Sequence, residues 1–154
     1  MGQVEELSGL EVLTAGECLH LLAERRIGRV GFVVSGQPHV LPVNYSADRD
    51  GSVVFRTTAG SILTNVAGRP VAFEVDGFDE LRHTGWSVCV HGVGREISER
   101  DDPTARRLQE LSVVTWAPGE RDRWFAVTPD MITGRRLPLD ATATDFGWTP
   151  GVVG

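Results

Sequence analysis

The stretch RVGFVVSGQPHVLPVNYSADRDGSVVFRT, Arg29 to Thr57, decides the fold. Valine and phenylalanine crowd three runs within it, Arg29–Val34, His39–Tyr45 and Ser52–Thr57. Side chains of this kind fit a pleated, half-buried surface, so each run reads as a strand. The runs are separated by Ser35-Gly36 and by Asp48 to Gly51, short polar segments that suit turns. Connections this short join antiparallel neighbours, because a parallel pair needs a crossover of about a dozen residues or more.

Outward from this core, three further strands are expected at Val71–Val75, Trp86–Ile97 and Arg123–Val127, with Asp76-Gly77 as a turn signal. Upstream, Thr14 and Glu17 form a capping-box pattern that opens a helix with Cys18, Leu19, Leu22 and Ala23 as its apolar stripe, ending before Gly28. A short helix is expected over Ser61–Ala67, and another opens near Asp101 with Pro103 in its first turn and Ala105, Leu108 and Leu111 on one face. The chain is therefore mainly β with a few short helices, and six antiparallel strands in so small a domain favour a β-barrel, since closure removes exposed edges. Residues 1–12 read as an N-terminal extension, 13–137 as the domain, and 138–154, rich in Gly, Pro and Thr, as an extended or loose tail.

At 154 residues one domain is expected. The net charge is −6, and all fifteen basic residues are dispersed arginines, which argues against a nucleic-acid partner. The sequence holds no apolar run near the ~20 residues of a membrane span and no signal-peptide pattern, so a cytoplasmic protein with no membrane partner is expected. Cys18 and Cys89 are too few for a secreted disulfide framework and read as buried thiols.

Four clusters carry possible chemistry. In Leu41-Pro42-Val43-Asn44-Tyr45 a proline that cannot donate to a ladder sits beside polar groups able to read a ring of carbonyls and nitrogens; an edge strand with a turn-forming asparagine is the alternative. Arg56-Thr57-Thr58-Ala59-Gly60-Ser61 closes a strand and opens a helix, so a guanidinium, hydroxyls and amides suit an anion, although an ordinary capped turn has the same pattern. Period-2 alternation puts Trp86, Val88 and Val90 on one face of the next cluster and Ser87, Cys89 and His91 on the other. Ser87 can hydrogen-bond a ligand, while Cys89 and His91 alone fall short of a metal site. Finally, Trp116-Ala117-Pro118-Gly119, Trp124 and Ile132-Thr133-Gly134-Arg135 can cover a planar ligand or a partner, or be core tryptophans at strand ends.

Taken in order, the chain from Leu13 to Leu137 resembles the pyridoxamine-phosphate-oxidase-like split-barrel family, in particular its small bacterial branch of nitroimidazole-resistance and deazaflavin-using proteins. The resemblance rests on Ile27-Gly28-Arg29, Pro42-Val43-Asn44-Tyr45, Phe55-Arg56-Thr57, Gly60-Ser61, Val71 to Asp76, Thr84-Gly85-Trp86-Ser87-Val88, Trp116-x-Pro-Gly119, Trp124 and Thr133-Gly134-Arg135. It implies a six-stranded antiparallel split β-barrel of the FMN-binding type and a homodimer with two flavin mononucleotide (FMN) sites at the interface. By this likeness the cofactor-binding residues are Pro42, Val43, Asn44 and Tyr45 at the ring, Arg56, Thr57, Thr58, Ser61 and Ile62 toward ribityl and phosphate, Trp86, Ser87 and Val88 at the ring edge, and Trp124, with Arg135, from across the dimer. Glu74 is a weaker candidate. The pattern departs at Ile62, where many relatives carry a lysine or arginine in the phosphate turn.

The function this implies is an FMN-dependent oxidoreductase acting on a small organic electron acceptor. The cofactor would carry the electron chemistry and the protein would bind and orient it, so no catalytic side chain is assigned. A deazaflavin (F420)-dependent reductase is the alternative cofactor reading. A non-enzymatic cofactor binder and a cofactor-free dimer that has lost its phosphate-site cation are the rivals from other classes. Vitamin B6 oxidation is disfavoured, because the chain is short and lacks an arginine-rich C-terminal motif for a second phosphate.

Overall fold

All six runs fold as strands, and they close on one another. The computed structural model describes residues 3–4, 9–98 and 103–137. Its elements are β1 (Gln3–Val4), β2 (Glu11–Val12), α1 (Ala15–Glu24), β3 (Ile27–Val34), β4 (Gln37–Ala47), β5 (Val53–Thr57), a 3₁₀ helix (Ile62–Val66), β6 (Pro70–Asp79), β7 (Thr84–Ile97), α2 (Pro103–Gln109) and β8 (Arg123–Leu137). The antiparallel order β8-β5-β4-β3-β6-β7 returns to β8 and makes the six-stranded ring. The two-residue strands β1 and β2 are added along the far end of β8, so part of the expected N-terminal extension joins the sheet. The tail expected over 138–154, and Asp101, lie outside the described residues.

Alternation along the strands fills the ring. Val30 and Phe32 of β3, Val43 and Tyr45 of β4, Val53 and Phe55 of β5, Phe73 and Val75 of β6, Val88 and Val90 of β7, and Phe125 and Val127 of β8 form one buried cluster. Helix α1 packs onto this cluster, and its capping box is present: Glu17 N donates to Thr14 Oγ1 over 3.2 Å and Thr14 N to Glu17 Oε2 over 2.8 Å. Its buried face is Cys18, Leu21 and Leu22, whereas Ala23 is exposed. The expected stripe was thus rotated by part of a turn, because strand ends receive α1 on its Leu21 side.

A second, smaller cluster lies outside the ring. Val54 and Ala126 turn outward from β5 and β8 and are covered with Ile97 by Ala105 and Leu108 of α2 and by Val113. Pro103 opens α2 and its Ala105–Leu108 face is the buried one, with Leu111 packed beside it, as the sequence pattern requires.

Strand β8 runs ten residues beyond the expected end at Val127. Pro129 and Asp130 hide this continuation in the sequence, but they fall at a register shift opposite His91 and Gly92, where a bulge accommodates a residue that cannot donate.

Two glycines of the recognised pattern are places of close approach. A Cβ on Gly134 would stand 2.6 Å from Cys18 Sγ, where α1 meets β8. A Cβ on Gly28 would collide with the Phe73 ring edge and stand 2.8 Å from the Glu74 carbonyl oxygen. Gly28→Ala is therefore expected to cost about 1–3 kcal/mol by overpacking, read as a lower urea midpoint, and Phe73→Leu in the same chain to restore part of it. An unchanged midpoint in Gly28→Ala would contradict this packing.

Candidate functional site

The ladder between β4 and β5 covers only part of β4. Strand β4 pairs with β5 only over Tyr45–Ala47, so its stretch from Gln37 to Asn44 has β3 on one side and no strand on the other. Pro42, which has no N–H to offer, sits in this unpaired stretch. Across the opening stand the end of β5 and the 3₁₀ helix, and over it passes the segment Leu111–Arg121. Between them is a cavity of about 130 Å³ lined by Pro42, Val43, Asn44, Arg56, Leu63, Thr115, Ala117 and Arg121.

The segment is pinned at both ends. Trp116 N donates to Asn44 Oδ1 over 2.9 Å, and Ser46 Oγ donates to the Ser112 carbonyl. Arg56 Nε donates to the Arg121 carbonyl over 2.8 Å, and the Arg56 guanidinium stacks 4.8 Å from the Trp124 ring centroid, a cation–π contact. The two arginines lining the cavity, Arg56 and Arg121, form no ion pair with a carboxylate among the described residues. Arg123, two residues on, is by contrast bonded to Glu96, with Nη2 to Oε2 at 2.7 Å.

Two side-chain polar atoms are buried without a hydrogen-bond partner among the described residues: Arg121 Nε at the cavity, and Thr57 Oγ1 on the inward side of β5 that also carries Val53 and Phe55. Burying a polar group without a partner costs about 1–3 kcal/mol, so such atoms are uncommon unless a ligand or solvent meets them.

The structure sorts the expected cofactor residues. Pro42, Val43, Asn44 and Arg56 converge on the cavity, and Trp124 lies directly behind Arg56. Ser61 caps the 3₁₀ helix, its Oγ accepting from Leu63 N over 3.2 Å; the Ser61 amide donates to the Thr58 carbonyl, and Ile62 follows with its side chain 38 % exposed. Tyr45 and Val88 are corrections. Their side chains face the barrel interior and are fully buried, and the Tyr45 hydroxyl donates to the Leu22 carbonyl while its ring meets Phe73 edge-on at 4.7 Å. Burial pushes the Tyr45 hydroxyl far up, so it stays protonated as a structural donor. Strict alternation hides Val88 for the same reason that it exposes Ser87.

Trp86 and Ser87 lie on β7, directly across the six-stranded ring from β4, so within one chain they do not reach the cavity. Trp86 packs instead under the Arg25 guanidinium, 5.3 Å from its ring centroid. Cys89 Sγ and His91 Nε2 lie 3.6 Å apart, and no group of three potential metal ligands converges among the described residues. Sequence reasoning missed Leu63, Thr115 and Arg121, of which Arg121 carries the charge. It sits in a polar loop between Glu120 and Asp122, where no periodicity marks which way it turns.

An incompletely laddered ring with a small guanidinium-lined cleft in its opening defines a split β-barrel suited to an anionic ligand. The chain belongs to the pyridoxamine 5'-phosphate oxidase family, which it matches over residues 14–136. It is 35 % identical over 135 residues to the uncharacterized protein Rv0080 of Mycobacterium tuberculosis, covering 84 % of this chain and 86 % of that one. Among solved structures it is similar to an FAD-binding protein of Mycobacterium smegmatis, at 34 % identity and a TM-score of 0.69, covering 82 % of this chain and 97 % of the other. A Corynebacterium diphtheriae protein of unknown function shares the fold at 27 % identity and a TM-score of 0.68, over 84 % and 98 % of the two chains. No helix among the described residues is long and apolar enough to cross a membrane.

Away from the cleft, Glu74 and Asp76 share Arg29, at 3.5 and 3.3 Å. Burial, followed by the nearby Asp76 charge, raises the Glu74 carboxyl above its ordinary range against the opposing pull of Arg29. A raised folded-state value means the native protein holds this proton longer than the unfolded chain. The contribution is complete below the ordinary carboxylate range and is lost as pH rises through the folded value. Glu74→Gln is accordingly expected to flatten the fall in stability on going from mildly acidic to neutral pH, measured by urea unfolding across that window. An equal slope in both proteins would rule out Glu74 as its source.

Proposed function

We propose that the chain binds a flavin nucleotide, FMN or the FMN half of FAD, in the opening between β4 and β5, and works as an oxidoreductase on a small organic electron acceptor. The observation that carries this reading is the convergence of Pro42, Val43, Asn44 and Arg56 on one carboxylate-free cavity. The FAD-binding M. smegmatis relative, at 34 % identity over nearly its whole length, supports a flavin over other ligands.

The residues present fit the phosphate end of such a group. Arg56 lies at the end of β5, and Ser61 opens the following turn. The cavity of about 130 Å³ is too small for the ring system, since ligand pockets commonly run to ~300–1,000 Å³. In this reading the stretch Leu111–Ala117 moves aside for the ring while Arg121 stays tied to Arg56, and Asn44 exchanges the Trp116 amide for a polar group of the ligand. The bound flavin would supply hydride or electron transfer. The chain's own residues hold the phosphate, place Asn44 and the Val43 backbone along the ring, and keep water out with Leu63 and the covering segment.

A second copy of the chain completes the site in this reading. Trp86 and Ser87 lie opposite β4, so a role for them at the ligand requires another protomer. Exposed Val33, Val40 and Val93 border a groove of about 560 Å³ on the outer face of the barrel, an apolar surface fit for that contact. The two unpaired thiols agree with a reducing, cytoplasmic setting.

Arg56→Ala is expected to weaken FMN binding about 10–100-fold, as the loss of one charge-assisted hydrogen bond, with the fold retained by circular dichroism. Ile62 occupies the turn position at which a cation adds to phosphate binding, and its side chain is partly exposed, so Ile62→Lys is expected to tighten FMN binding. Both are read by quenching of flavin fluorescence on titration. Unchanged affinity in Arg56→Ala would remove the phosphate from this opening. Retention of F420 with rejection of FMN and FAD would replace the flavin by the deazaflavin.

A further inference from the structure

We propose that Arg121 supplies the second cation of an anion subsite with Arg56, built to take a phosphoryl group. The inference rests on the flavin reading for the identity of the phosphate's owner, and on the cavity alone for the existence of the subsite.

Four observations converge. Arg121 lines the same cavity as Arg56, and the two are tied together because Arg56 Nε donates to the Arg121 carbonyl at 2.8 Å. No carboxylate lines that cavity, so two guanidiniums face one small space without a counter-charge. Arg121 Nε is excluded from solvent and has no partner among the described residues, an expensive arrangement for a charged group. The volume, about 130 Å³, is room for roughly four water-sized volumes of ~30 Å³ each, which suits a phosphoryl group and excludes a three-ring system.

The geometry also accounts for Ile62. Ile62, on the 3₁₀ turn, is exposed, does not line the cavity and brings no charge to it. A guanidinium delivered from the covering segment puts a charge on the cavity from the other side. It comes as a planar fork, which pairs with two phosphate oxygens at once. Because Arg121 belongs to the same segment that Asn44 and Arg56 pin down, anion binding and placement of that segment become one event.

The test compares wild type, Arg121→Gln and Arg121→Lys in titrations with FMN, riboflavin and inorganic phosphate, read by flavin fluorescence and by thermal unfolding. Wild type is expected to bind FMN at least about tenfold more tightly than riboflavin. Inorganic phosphate should compete with FMN and raise the melting temperature. Arg121→Gln should bind riboflavin as wild type does and lose the preference for FMN, and Arg121→Lys should recover part of it. An FMN-to-riboflavin ratio unchanged in Arg121→Gln overturns the proposal. Equal binding of FMN and riboflavin by wild type also overturns it while leaving the flavin reading standing. Stabilisation of wild type by phosphate, absent in Arg121→Gln, in a protein that takes no flavin supports the subsite and removes the flavin reading. If Arg121→Gln does not fold, Arg121→Lys and the wild-type phosphate titration decide.

Discussion

Beyond Tyr45 and Phe55 the ladder between β4 and β5 stops, and the barrel stays open along that seam. Strands β3 and β6 are also paired over a short stretch, Arg29–Gly31 with Ala72–Glu74, whereas β7 and β8 pair from Ile97 with Trp124 through to Gly85 with Leu137. Along this opening the backbone and side chains of β4 face the covering segment rather than another strand. Pro42 maintains it, because a residue without an N–H cannot extend a ladder there. The side chains of Asn44 and Arg56 reach instead for the covering segment.

Charge makes the opening selective. The protein carries a net charge of −6, and several of its arginines are paired with carboxylates: Arg29 with Glu74 and Asp76, Arg82 with Asp79, Arg107 with Asp48, Arg123 with Glu96, Arg136 with Glu11 and Glu17. Arg56 and Arg121 line a shared space free of carboxylates, Arg56 held by the Trp124 ring and the Arg121 carbonyl, and Arg121 Nε without a partner among the described residues. In a cleft with low-dielectric walls, two such charges make a local field that the overall acidity of the chain does not predict.

Most of the fold was legible because alternation and turn chemistry agree. The hairpins from Arg29 to Thr57, the Thr14–Glu17 capping box, the Ser61 cap and the Pro103 opening of α2 are local devices, and each occurs where its residues stand. Misplacements came where tertiary structure overrode local pattern. The bulge at Pro129 conceals half of β8, and the face of α1 is chosen by the strands it meets. Pro42, Val43, Asn44 and Arg56, grouped from the sequence as candidate ligand residues, line one cavity because the strands that carry them are neighbours. Tyr45 and Val88 were misjudged because period 2 turns them inward, and Arg121 was missed because a loop gives no period from which its direction can be read.

The central claim is that the β4–β5 opening holds a flavin nucleotide. The most direct measurement is the near-ultraviolet and visible absorption spectrum of the purified protein after incubation with FMN or FAD and removal of excess by gel filtration. The account predicts a retained flavin band in stoichiometric amount, abolished together with flavin binding when Arg56 and Arg121 are both replaced by glutamine in a folded protein. A wild-type protein that emerges colourless from both flavins, or a double variant that retains the band undiminished, would contradict it.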